Sequence, residues 1–352
     1  MSAPPFVSII VPCFNEAKCI EECLDSILSQ DYPLQRMEIL IADGESTDGT
    51  REIVERYAAA HPEANIQVIR NPDRIQAAGC NCAIVASRGE IIVRLDAHAR
   101  YQSDYVRSCV TMLESTGALI VGGAQRPAWR TPFQRAMVAA LQSPLAVGGA
   151  AYRNPNRQGF VDTVWLGAFR RNAFEDVGMF DPRAITNEDA ELNHRMLRSG
   201  GKIYLSRDIV GYYYPRESLT ALARQYFRYG TGRARTTLKH RRLQTLRPLA
   251  PVSLLLVLVG LAITSLFTPW AEAALATVTV VYLASLVAES TRLCIRHGFG
   301  LLPDLLAIFP TIHFAWATGF LYGLGRYALR PDWDETPLRL PRRFHDESPK
   351  RV

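Results

Sequence analysis

Two apolar runs, Leu249 to Phe267 and Ala271 to Ala288, lie back to back late in the chain with only Thr268-Pro269-Trp270 between them. A membrane-spanning helix needs roughly 20 mostly apolar residues, and both runs come close to that length. A soluble helix normally keeps a polar face. Leu254 to Thr264 has almost none, so the pair reads as a helical hairpin in a membrane and not as core helices of a soluble protein. Arg233, Arg235, Lys239, His240, Arg241, Arg242 and Arg247 precede it, Arg292 and Arg296 follow it, and the turn has no lysine or arginine. The positive-inside rule places both flanks in the cytoplasm. A third stretch, Leu301 to Leu324, is interrupted by Pro303, Pro310 and Gly319 and is basic on both sides. It is either a re-entrant or interfacial element or a third span that breaks the charge rule.

The rest of the chain must then supply a large cytoplasmic part. At 352 residues the chain suits one large domain plus an appendage. The net charge of +6 gathers around the apolar segments and forms no aromatic-interleaved stripe elsewhere, so anionic lipid fits it better than nucleic acid. Seven cysteines, with no paired metal-ligand spacing, read as reduced thiols. The first residues, Met-Ser-Ala-Pro-Pro-Phe-Val-Ser, lack the basic and apolar regions of a secretory signal, which is consistent with a cytoplasmic front.

Residues 7 to 12, Val-Ser-Ile-Ile-Val-Pro, form a strand-like run, and Ile20, Leu24, Ile27 and Leu28 then share a helical face. The unit repeats with a strand at Met37 to Ala42 and a helix at Thr50 to Ala60. Further strands are expected at Ile66 to Arg70 and Glu90 to Leu95. Alternating strands and helices build a mostly parallel sheet in an α/β fold. In such sheets the ligand lies beyond the carboxyl ends of the strands, where Pro12, Asp43 and Asp96 all fall.

Three segments carry candidate chemistry. Asp96 and His98, in Arg94-Leu95-Asp96-Ala97-His98, could hold Mg²⁺ or Mn²⁺ against a diphosphate, or Asp96 could simply cap a turn. Glu188 and Asp189 open an amphipathic helix, where carboxylates serve as caps or, in one case, as a general base. Gln225 and Arg228 share a face three residues apart, suited to a phosphate or to lipid headgroups, with Tyr229 beside them.

In this order, Val7-Ser8-Ile9-Ile10-Val11-Pro12-Cys13-Phe14-Asn15-Glu16, Asp43 to Thr50, Arg94 to His98, Trp165 to Arg171, Asn187-Glu188-Asp189 and Gln225 to Tyr229 resemble the family-2 glycosyltransferases with the GT-A fold. The match is closest to the branch that builds succinoglycan-type exopolysaccharide on a lipid carrier. It covers about residues 6 to 235. The resemblance implies that Pro12, Glu16, Asp43 and Arg74 line a nucleotide pocket, and that Asp96, with His98, meets the donor diphosphate through Mg²⁺ or Mn²⁺. It implies Asp189 as catalytic base with Glu188 beside it. Trp165, Gly167 and Ala168 would shape the donor–acceptor junction, while Gln225, Arg228 and Tyr229 approach the diphosphate or the acceptor.

The implied activity is inverting transfer of a single sugar from a UDP-sugar to a lipid-linked acceptor, a polyprenyl diphosphate-sugar, in cell-surface polysaccharide biosynthesis. The implied organisation is a catalytic domain over residues 1–240, a membrane region over 246–326 and a basic cytoplasmic tail over 327–352, at the cell inner (plasma) membrane. This sequence departs from the family pattern at three places. Gly44 replaces a second aspartate and loosens the nucleotide assignment. His98 replaces an aspartate and is a softer ligand, which favours Mn²⁺ or removes a ligand. Tyr229 replaces a tryptophan, which speaks for single-sugar transfer over processive synthesis. Transfer to a sphingolipid or glycerolipid, a nucleotidyltransferase and an inactive membrane scaffold remain as other readings. The sugar, the linkage and the oligomeric state are not written in the sequence.

Overall fold

A computed structural model of the protein describes residues 3–147, 154–241, 243, 249–333 and 338–341. Arg242, Arg247 and the basic residues from Arg342 onward lie outside the described residues. Chain order gives β1 (Val7–Cys13), α1 (Ile20–Leu28), β2 (Met37–Asp43), α2 (Thr50–Ala60), β3 (Ile66–Arg70), α3 (Gln76–Ala86), β4 (Ile91–Arg94), β5 (Ala99–Tyr101) and α4 (Tyr105–Thr116). Then follow β6 (Ile120–Pro127), α5 (Pro132–Leu141), α6 (Pro144–Val147), β7 (Gly159–Phe160), β8 (Trp165–Arg170), α7 (Arg171–Asp176), α8 (Glu188–Arg198), β9 (Ile203–Tyr213) and α9 (Leu219–His240). Three apolar helices close the described chain: α10 (Leu249–Thr264), α11 (Pro269–His297) and α12 (Leu302–Leu329).

The nine strands form one sheet in the order β3-β2-β1-β4-β8-β6-β9-β5, with β7 paired to β9. The first four strands pair parallel, as their alternation with helices requires. From β8 onward the sheet is mixed, because β8 runs antiparallel to both β4 and β6. β1 and β2 are buried along their whole length, the mark of strands covered on both faces. Val7, Ile9 and Val11 meet α1, α2 and α4, whereas Ile10 and Leu40 meet α3 and the α7–α8 side.

The apolar helices differ from their expected lengths. The first run folds as α10, 16 residues from its first described residue and short of a full span. α11 and the segment Phe299–Leu329 are long and apolar enough to cross a membrane. The interruptions at Pro310 and Gly319 do not break the third stretch, and α12 is continuous over 28 residues. Its small residues serve packing instead. A Cβ on Gly319 would fall 2.1 Å from the Phe227 carbonyl oxygen, and one on Gly230 would fall 2.2 Å from that of Trp316. Backbones can approach so closely only where small residues meet, as in membrane helix pairs. α12 therefore lies directly on α9, while α11 turns Val280 and Val281 outward.

Candidate active site

β4 is apolar until Arg94, and that residue organises the site. It is 4% exposed, its Nη2 donates to Glu188 Oε1 at 2.9 Å, and the same nitrogen lies 3.5 Å from Asp96 Oδ1. Its guanidinium sits 5.5 Å from the centre of the Phe180 ring. One buried cation thus couples the strand end that carries Asp96 to the helix start that carries Asp189. Asp96 is further fixed by Gln76 Nε2, which donates to its Oδ1 at 3.1 Å, and by its own backbone N–H, which donates to the Tyr101 hydroxyl at 2.7 Å.

The start of α8 is seated by α9. Thr186 Oγ1 donates to the Arg228 carbonyl at 2.9 Å and Asn187 Nδ2 to the Tyr229 carbonyl at 3.0 Å. Asn187 is left-handed (φ 60°) and presents no side-chain cap, and Glu188, Asp189 and Glu191 stand in the first turn, where the helix dipole favours carboxylates. Glu188 is buried; burial, opposed by Arg94 and reinforced by Asp189, pushes its carboxyl up to about 7. Asp189 is half-buried, and its Oδ1 accepts the Ala190 N–H at 2.7 Å.

Both acids open onto a cleft of about 900 Å³ whose walls also hold Asp96, His98, Trp165 and Arg216. Its α9 wall presents Arg224, Gln225, Arg228 and Tyr229. Gln225 Nε2 donates to the hydroxyls of Tyr229, at 3.0 Å, and Tyr213, at 3.3 Å, so the amide is spent on holding two aromatics. Trp165 meets Tyr213 edge to face at 6.2 Å.

Other predicted residues stand back from this cleft. Gly167 and Ala168 are buried in β8, where they pair with Arg94 and Val93; Trp165 and Leu166 face the cleft in their place. Pro12 and Asp43 are buried at the carboxyl ends of β1 and β2, and the Asp43 carboxylate accepts the Ser46 N–H at 3.3 Å. Arg74 is exposed and bound to Glu45 at 2.6 Å, a surface pair of small worth that a ligand can displace. Glu16 lies behind His98, its Oε1 3.1 Å from His98 Nδ1.

Among the described residues no group of three or more His, Cys, Asp or Glu forms a metal cage. The residues present still fit Mg²⁺ or Mn²⁺, which commonly take one or two protein ligands and complete their shell with phosphate oxygens and water. Asp96 Oδ2 has no donor among the described residues. The Glu16 carboxylate on Nδ1 orients the His98 ring and leaves Nε2 for a cation, the arrangement that carboxylate partners give to metal-bound histidines. Burial works against charge on His98, but the Glu16 hydrogen bond and the nearby Asp96 raise its pKa above the usual value.

Sequence reasoning missed Arg94 as the bridge, although an arginine closing Ile-Ile-Val is itself a signal. It also missed that Leu254, Tyr282, His313 and Trp316 of the apolar helices form one wall of the cleft. His313, a lone polar side chain within an apolar stretch, was the visible hint.

Comparison with known proteins agrees with this architecture. The family model described as Glycosyl transferase family 2 matches residues 8–178. Among curated proteins the chain is similar to the succinoglycan biosynthesis protein ExoA of Rhizobium meliloti, at 34% identity over 89% of this chain and 93% of that protein. It is 28% identical, over 91% of this chain and 97% of the other, to a dolichyl N-acetyl-α-D-glucosaminyl phosphate 3-β-D-2,3-diacetamido-2,3-dideoxy-β-D-glucuronosyltransferase of Methanococcus voltae. Among solved structures it resembles a mannosyltransferase from Pyrobaculum calidifontis in complex with GDP-Man and Mn²⁺, with a TM-score of 0.63 and 25% identity over 88% of each chain. A curled mixed sheet that gathers Asp96, Arg94 and Asp189 at one end, matched along nearly the whole chain by sugar-transferring relatives, identifies the protein as a member of glycosyl transferase family 2, a hexosyltransferase of GT-A fold.

Proposed function

We propose that the protein moves a single sugar, with inversion, from a UDP-sugar to a lipid-linked acceptor, a polyprenyl diphosphate-sugar, in the making of cell-surface polysaccharide. The observation that carries this reading is the shared cleft: Asp96, Asp189 and the apolar helices line one cavity, so a nucleotide donor and a lipid-borne acceptor can meet at one carboxylate. The succinoglycan and dolichyl-linked relatives point the same way. Residues 1–240 are the catalytic domain, 246–326 the membrane region and 327–352 a basic tail, with all but the spans on the cytoplasmic face of the inner membrane.

Asp189 takes the proton from an acceptor hydroxyl as that oxygen attacks the anomeric carbon. The bond from that carbon to the diphosphate oxygen breaks, its electron pair leaves with the nucleoside diphosphate, and the configuration inverts. Arg94 keeps Glu188 and Asp96 fixed on either side of this line and is itself screened from water. Arg228 offers its guanidinium to the leaving diphosphate from the α9 wall. Asp96 and His98 would hold Mg²⁺ or Mn²⁺, which when bound supplies positive charge to the departing diphosphate. Pro12, Glu16, Asp43 and Arg74 flank the nucleotide, Glu16 acting through His98 and Arg74 after release from Glu45.

The test is transfer of label from a panel of UDP- and GDP-sugars into organic-extractable lipid, by membranes holding the wild type or Asp189→Asn, with Mn²⁺ or with EDTA. Labelled lipid that requires one donor, Asp189 and the metal is the expected result. No labelled lipid from any donor, in a sample that binds UDP, would overturn the lipid acceptor.

A further inference from the structure

The cleft continues past the carboxylates. Its far wall passes to Leu254 of α10, Tyr282 of α11 and Trp316 of α12, so the cavity is charged at the Asp96 end and apolar at the other. The phenol and imidazole of that apolar end are already spent. Tyr282 hydroxyl lies 3.0 Å from His313 Nδ1, and His313 Nε2 lies 2.7 Å from the Leu145 carbonyl oxygen, which leaves the ring of Tyr282 as what the cavity meets. Trp316 stacks on Phe320 at 5.1 Å and 14°, on the stretch of α12 that the Gly230–Gly319 contact locks against α9. Apart from the Trp316 indole N–H, Leu254, Tyr282, His313 and Trp316 offer no free side-chain hydrogen-bonding group to a nucleotide or a sugar.

Where the charged and apolar parts join, α9 presents Arg224 one turn before Arg228 on the same face. Arg224 is exposed and has no ion-pair partner among the described residues, whereas Arg94, Asp96 and Glu188 on the carboxylate side of the cleft are paired with one another. Arg216 belongs to the opposite end, since its charge acts on His98. A cation beside an apolar wall matches an anion attached to a hydrocarbon chain. A nucleotide-sugar lacks the chain, and a neutral glycolipid lacks the anion.

We propose that Arg224, one turn from the Arg228 that faces the donor diphosphate, binds the phosphate or diphosphate of the acceptor lipid, and that the first hydrocarbon units of that lipid lie against Leu254, Tyr282 and Trp316. This rests on the reading of the cleft as a glycosyltransferase site and adds the residues that would select a lipid phosphate over an uncharged lipid. The acceptor sugar then extends from the phosphate toward Asp189, with its hydroxyl at the base.

The experiment uses the full chain in phosphatidylcholine nanodiscs, with radiolabelled farnesyl diphosphate as the lipid phosphate and farnesol and inorganic diphosphate as its two halves. Saturable binding of farnesyl diphosphate, tighter than either half, is expected. Arg224→Gln should weaken it roughly tenfold or more, as loss of a charged hydrogen bond does, while UDP binding measured on the same sample persists and shows that the chain is folded. Trp316→Ala should weaken farnesyl diphosphate but leave competition by inorganic diphosphate as it was. Farnesol binding as tightly as farnesyl diphosphate, or an unchanged affinity in Arg224→Gln, would overturn the proposal. So would complete displacement by phosphatidylglycerol in the nanodisc, because the site would then be one for anionic headgroups. If these fail while labelled lipid still forms in the transfer assay, the enzymatic reading stands and only the acceptor subsite falls; loss of UDP binding in the wild type would instead remove the enzymatic reading.

Discussion

Glu188 and Glu191 stand three residues apart in the first turn of α8, both buried, and their charges are handled in opposite ways. Glu188 has one cation, Arg94, which it shares with Asp96, and its carboxyl is pushed up to about 7. Glu191 is fully buried and receives Arg195 at 2.9 Å, Lys239 at 2.9 Å and His240 at 3.2 Å. Burial works against its charge, but His240, Arg195 and Lys239 together hold it far below the usual carboxylate range. The turn therefore has an under-neutralised side facing the cleft and an over-neutralised side facing α9. The first leaves room for a further cation beside its carboxylates. The second is a clamp, extended by Arg235, which binds Asp181 at 3.0 Å and Asp332, just beyond α12, at 2.6 Å.

If the two sides divide chemistry from architecture, their variants must fail differently. The largest effect is expected on the cleft side. Asp189→Asn removes the proposed base and should lower the transfer rate by about 10²–10⁴-fold, with UDP affinity and thermal stability close to wild type. Rate assays beside a melting curve decide it, and a variant that melts early would move Asp189 to the architectural side. On the clamp side, Glu191→Gln leaves Arg195 buried without its anion and Lys239 with Asp181 alone, and should cost about 3–5 kcal/mol of stability. Its activity per folded molecule should hold; a fall in that activity at unchanged melting temperature would erase the division.

The clamp reaches the apolar helices only if α9 and α12 stay in contact. Gly319→Leu forces a side chain into the Phe227 backbone and should cost about 1–3 kcal/mol by overpacking. Limited proteolysis should then release the α12 side from the sheet domain at lower temperature than in the wild type. Cleavage at the wild-type temperature would mean that the helices pack independently of the catalytic fold.

Most of the frame was legible in the residues, since a strand such as Val7–Cys13, buried on both faces, leaves an apolar run, and the face of Ile20, Leu24 and Ile27 leaves a helical period. The turn at Asp96 and the acids at α8 were legible for the same reason, standing where such runs end. What was not legible depends on partners far apart in sequence. Arg94 meets Glu188 across 94 residues, and Glu16 meets His98 across 82. Gly319 reads as a helix interruption until its neighbour across 88 residues, the Thr231 hydroxyl that donates to its carbonyl, is known. The antiparallel pairings of β8 were equally hidden, because β8 pairs with β4 and β6 and not with its neighbours along the chain, β7 and β9.

The smallest effect is the most telling about the comparison, because the two glutamates should respond to pH with opposite signs. A free glutamate releases its proton near 4.5, whereas native Glu188 keeps its own until about 7. Between those values the native state binds a proton that the unfolded state has lost, so this group makes stability fall as pH rises toward 7. Glu188→Gln cannot titrate, and it should gain on the wild type across that window and hold a constant difference above it. Glu191 is depressed, so its contribution is full above its ordinary pKa and is lost as pH falls below it. Glu191→Gln should accordingly lie furthest below the wild type at neutral pH and approach it in acid. Melting temperatures of the three proteins in one detergent, scanned from acid to neutral pH, test both slopes together. Parallel curves for the two variants would mean that the turn is electrostatically uniform and that its two sides do not differ in kind.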